Sequence, residues 1–134
     1  MIPIYQQAKD DCFAACIASL LHCPLSFVPP MTAVSDVRQY DGKLQKWLHQ
    51  YIRCGGYVEF GFPEPLPELM SRMMVSAETS YYILTGTNRA AAAHSVVCLG
   101  GMIAHDPSAE PGHHTLVGPV NDGFYRVGFL LLGP

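Results

Sequence analysis

Charge is what this sequence has least of: 14% of its 134 residues are Asp, Glu, Lys or Arg, and the eight basic residues form no cluster. A nucleic-acid surface needs lysines and arginines gathered on one face to neutralise phosphates, so nucleic acid is not expected as a partner. No apolar run reaches the roughly 18 residues of a membrane-spanning helix. The start, Met1-Ile2-Pro3-Ile4, lacks both a basic n-region and a long apolar core. The chain therefore reads as a soluble, unexported, cytoplasmic protein with no membrane partner. CxxC pairs are also missing. The cysteines at 12, 16, 23, 54 and 98 are odd in number, which fits neither a disulfide framework nor a zinc knuckle and argues for a reducing compartment. Among the histidines, His105, Asp106, His113 and His114 share one short stretch, but their spacing matches no compact metal motif. They read as solvated loop residues, and no metal or other cofactor is expected.

What is present is apolar: 49% of the chain, enough at this length for a single core and a single domain spanning 1–134. Its densest apolar stretch runs from Cys12 to Leu21, preceded by Asp10 and Asp11, both good N-cap residues, so a buried helix should begin at about Asp11. Cys12 then lies in the first turn, facing orphan N–H groups and the positive end of the helix dipole, which favour thiolate. Cys16, one turn on, should look into the core, where low dielectric favours the neutral thiol.

Pro24 ends this run, and a turn-rich connector follows over Leu25 to Pro30. Val34 to Tyr40 reads as an added helical turn. After Asp41-Gly42, the positions Leu44, Trp47, Leu48, Tyr51 and Ile52 carry the strongest helical periodicity in the chain, with Gly55 as its C-cap. Tyr57 to Phe62 reads as a strand. Leu66 to Met74 reads as a helix opening on proline, with Leu69, Met70, Met73 and Met74 inward. Ser80 to Thr85 reads as a further strand. His94 to Leu99 and Met102 to Asp106 read as a hairpin about Gly100-Gly101, and Gly123 to Leu132 as the last strand. Helices lead and strands follow, which gives an α+β fold with helices segregated against an antiparallel sheet.

Counting outward from Gly100-Gly101, Val97 opposes Ala104 and Ser95 opposes Asp106, so His94 lies one residue off the aspartate. Diagonal reach or a bulge would bring the two together. A histidine near a carboxylate is a base with its orienter, and Gln6, six residues before Cys12, offers a side-chain amide to an oxyanion. On an extended approach only one of Gln6 and Gln7 can face the thiol. Asn121 and Asp122 are fallback candidates for the third member.

This set resembles the papain-like cysteine peptidases, most closely the bacteriocin-processing type that cuts leaders at double glycines. The front motif is Gln6, five residues, Cys12, with Asp11 just before it; the second is His94-Ser95-Val96-Val97 followed by Asp106-Pro107. Position 13 departs from the family's Gly with Phe13. The resemblance implies a papain-like fold in which the helix bearing the cysteine packs on an antiparallel sheet. It also implies a thiol hydrolase acting on a peptide or isopeptide bond of a peptide or protein substrate. Cys12 would be nucleophile, His94 base, Asp106 orienter, and Gln6 with the Cys12 backbone N–H the oxyanion donors. An amidase or acyltransferase would use the same site. A catalytically silent peptide-binding module is the alternative that Phe13, next to the thiol, suits. The sequence favours no particular oligomeric state.

Overall fold

The computed structural model describes residues 1–7, 11–29, 37–52, 54–89, 92–108 and 116–132. Helix α1 spans Cys12–Leu21 and ends at His22, which adopts the left-handed conformation with φ of 57°. A single 3₁₀ turn, Leu25–Phe27, follows Pro24. Helix α2, Val37–Trp47, starts earlier than its periodicity suggested and runs through Asp41-Gly42. It ends in a π-helical turn over Leu48–Ile52. Leu44 and Leu48, the i and i+4 members of the apolar stripe, are its buried anchors, and their burial outweighs the cost of a helical glycine at 42. Gly55 is not a C-cap; it lies inside strand β1, Cys54–Phe62. Of residues 34–40, only 37–40 fall among those described.

Helix α3, Leu66–Ser76, has proline in its first turn. Leu69 and Met73 are buried, whereas Met74 is 58% exposed and so lies on the outer face, contrary to expectation. Strands β2 (Tyr81–Thr87), β3 (Ala93–Leu99), β4 (Met102–His105) and β5 (Tyr125–Leu132) complete an antiparallel sheet in the order β1-β5-β2-β3-β4. The fold is mixed α+β, with an N-terminal helix and this five-stranded sheet.

Alternation along β2 and β3 divides the core. Ile83 and Val97 pack with Phe13, Ala14, Cys16 and Ile17 of α1 and with Leu44 and Leu48 of α2. Tyr82, Leu84, Val96 and Cys98 pack with Leu69 and Met73 of α3 and with Val127. Successive strand residues face opposite ways, so the sheet is covered on both sides. The helices are therefore not segregated to one face, and β1 precedes α3 in the chain.

The β3–β4 hairpin turns at Gly100-Gly101, where Gly100 has a φ of 57° that a side chain would strain. Leu99 opposes Met102 and Cys98 opposes Ile103, but Val97 opposes His105, leaving Ala104 as the extra residue of a bulge. That residue changes which side everything after it faces. With His105 on the side of Val97, Asp106 takes the side of Val96 and His94 rather than that of Ser95.

Candidate active site

Cys12 is the first residue of α1 and 7% exposed. Asp11 occupies the N-cap position, but its φ of −108° and ψ of 19° lie outside the extended region from which a cap side chain reaches the first turn, and it makes no capping bond. Its carboxylate turns back instead and accepts the Gln7 backbone N–H at 3.2 Å. This contact draws the incoming chain against the start of the helix. Cys16 is fully buried; burial first, then the neighbouring Cys12, Cys98 and Asp106, push its thiol well above the ordinary range, as a core position implies.

His94, near the start of β3, is 2% exposed and opposes Gly86 of β2. Its Nε2 lies 2.8 Å from Asp106 Oδ1. The same Oδ1 accepts the Ser108 backbone N–H at 3.0 Å, so the turn after Pro107 fixes the carboxylate. Burial works against charge on His94, but hydrogen bonds to Asp106 and to Cys12, with the charges of both, override it and raise the imidazole to about 9. Cys12, His94 and Asp106, drawn from a helix start, a strand start and the end of a bulged strand, thus form one continuous chain of contacts. The bulge at Ala104 is what puts the third member within reach.

Gln6 arrives on an extended arm along which burial alternates: Ile4 and Gln6 are half-buried, Tyr5 and Gln7 exposed. Gln6 therefore faces inward, with its amide oxygen buried, and Gln7 does not. The arm is fixed at several points. Ile2 N–H donates to Ser19 O at 3.1 Å and Gln6 N–H to Pro107 O at 2.9 Å. Ile4 N–H donates to Ser19 Oγ at 2.9 Å, while His105 Nε2–H donates to Ile4 O at 2.7 Å.

His105 is accordingly no solvated loop residue: it is buried, and its ring meets that of Tyr5 edge-on at 5.0 Å. Sequence reasoning missed it because the bulge that turns it inward has no local signature. It also passed over Ser19, though a hydroxyl among the apolar residues of α1 was a signal available to it. His113 and His114 lie outside the described residues. Asp122 serves its own turn, accepting Phe124 N–H at 3.0 Å and pairing with Arg126.

Phe13 is a core residue, 8% exposed. Its ring packs edge-on against Tyr57 at 5.4 Å within the α1 side of the core. Gly128 makes room for that tyrosine, since a Cβ there would fall 1.6 Å from Tyr57 Oη. The feature that suited a silent binding module is thus a core contact.

Comparison with protein-family models, with curated proteins and with solved structures finds no match to this chain. Among the described residues no helix is long and apolar enough to cross a membrane.

Proposed function

We propose that this protein is a papain-like thiol hydrolase that cleaves a peptide or isopeptide bond through a Cys12–His94–Asp106 triad. The observation that carries the reading is the His94 imidazole, bonded to Asp106 through Nε2 at 2.8 Å and raised in pKa by Asp106 and by the neighbouring Cys12. His94 takes the proton of the Cys12 thiol as Sγ attacks the scissile carbonyl carbon, and the carbonyl electron pair moves onto oxygen, where the Gln6 side-chain amide and the Cys12 backbone N–H stabilise it. Collapse of this intermediate expels the amine, which takes its proton from His94, and leaves a thioester on Cys12. Water then gives its proton to His94, adds to the thioester carbon and releases the acid with the free thiol. Asp106 holds the ring in one orientation throughout and offsets its positive charge. An amidase or acyltransferase differs only in what supplies or receives the acyl group. The free thiols at Cys12, Cys16, Cys23 and Cys98 suit a reducing compartment, and we assign the enzyme to the cytoplasm.

Iodoacetamide labelling with mass-spectrometric localisation, paired with p-nitrophenyl acetate as a general acyl donor, tests this reading. Cys12 should alkylate fastest of the five cysteines, and it should become acylated and turn over. Both reactions should fall to background in His94→Ala. Preferential labelling of Cys23, with Cys12 inert to both reagents, would remove the site. Acylation without release would favour a protein that captures but does not turn over.

A further inference from the structure

Three consecutive residues fix two separate parts of the candidate site. Asp106 holds His94, Pro107 O accepts the Gln6 backbone N–H, and His105 Nε2–H donates to the carbonyl of Ile4, two residues before Gln6. Ile4 is clamped at both ends of its own backbone, its N–H on Ser19 Oγ and its carbonyl on His105 at 2.7 Å, with the Ser19 hydroxyl further off at 3.3 Å. Ser19 is in turn locked to α1 by donating to Ala15 O at 2.7 Å. In an extended segment residues i and i+2 face the same way, so whatever sets the height and rotation of Ile4 also sets the direction of Gln6. His105 is buried, lies outside the triad, and contacts no reacting atom in the mechanism above.

We infer that His105 is a positioning residue for the oxyanion donor: by gripping Ile4 O it aims the Gln6 amide at the acyl oxygen. This rests on the thiol-hydrolase reading and extends it. An oxyanion donor acts only within a few tenths of an ångström of its place, and a misplacement of about 1 Å can cost on the order of a hundredfold in rate.

The test separates two reactions of the same sulfur. Alkylation by iodoacetamide is a displacement at carbon that builds no oxyanion; acylation by p-nitrophenyl acetate passes through one. In His105→Leu, acylation of Cys12 should fall by on the order of ten- to a hundredfold, while alkylation stays within about twofold of wild type. His105→Gln, whose amide nitrogen can donate from nearly the same place, should recover most of the loss. In a Gln6→Ala background, His105→Leu should cost nothing further, because two residues acting through one donor do not add. Should His105→Leu fail to fold, Ser19→Ala, which releases the other end of Ile4, gives the same split between the two reactions. Undiminished acylation in His105→Leu, or a full additional loss in the Gln6→Ala background, would overturn the positioning role while leaving the hydrolase reading in place. A wild-type protein that p-nitrophenyl acetate does not acylate at Cys12 would overturn both.

Discussion

On the α3 side of the sheet, Leu69, Met73, Leu84, Val96 and Val127 close against one another, and the hydroxyl of Tyr82 is used on the Gly100 carbonyl of the hairpin turn. On the α1 side, equally complete burial is threaded with hydrogen bonds. Ser19, His105 and Gln45 each tie a side chain to the backbone of a different segment, with Gln45 Oε1 accepting Tyr57 N–H at 3.0 Å. Apolar packing is non-directional and fixes a volume, whereas a hydrogen bond fixes an atom. A fold needs only the first to be stable. A site that must hold a thiol, an imidazole and an amide in register needs the second, and the bonds of Ser19 and His105 hold the arm that carries Gln6.

Breaking a directional contact of the candidate site should abolish function with little loss of stability. Asp106→Asn keeps an acceptor for the Ser108 N–H but hands His94 the wrong partner, so it should lower the rate of Cys12 acylation by on the order of 10³–10⁴ while the thermal midpoint barely moves. A variant that unfolds would make Asp106 a turn residue first. Breaking the apolar side should do the reverse. Leu69 is fully buried, and Leu69→Ala should cost roughly 2–5 kcal/mol of stability, read from the denaturant midpoint. The iodoacetamide rate at Cys12, measured far below that midpoint, should not change. A rate that falls in step with stability would mean that the two sides are coupled.

The finest of these effects is a titration. Burial opposes a charge on His94, yet Asp106 and Cys12 raise its pKa to about 9. A raised folded pKa means that the stabilisation is complete below the unfolded value of about 6.5 and is lost as pH rises through about 9. The stability difference between wild type and His94→Gln should thus be largest near pH 6 and shrink toward pH 9. In Cys12→Ala the imidazole keeps Asp106 alone, so its midpoint by NMR should drop below the wild-type value. An unchanged midpoint would remove the thiol as a partner of His94.

Local chemistry was legible in the sequence. Apolar density with aspartates before it placed the start of α1 and therefore Cys12; paired glycines placed the hairpin turn; alternation limited the inner side to one of Gln6 and Gln7, and the resemblance chose Gln6. The same local signals erred where long-range packing overrode them. Helix α2 runs through Asp41-Gly42 because Leu44 and Leu48 are buried beneath it, and Gly55 belongs to a strand because β5 pairs with β1. Met74 faces out because α3 buries only a narrow stripe, with Leu69 and Met73 at its centre.

By itself, then, the sequence determined which residue types could do the chemistry and roughly where each element begins, since propensity, capping and turn preference act over a few residues. Tertiary structure alone decided how those residues meet. Regular counting from the hairpin turn sets Asp106 opposite Ser95, on the wrong side for His94. Absorbing Ala104 into a bulge reverses that side, turns His105 onto Ile4 and sends Asp106 to the imidazole. Whether a strand absorbs an extra residue depends on the packing of both faces at once, and no window of a few residues holds that information.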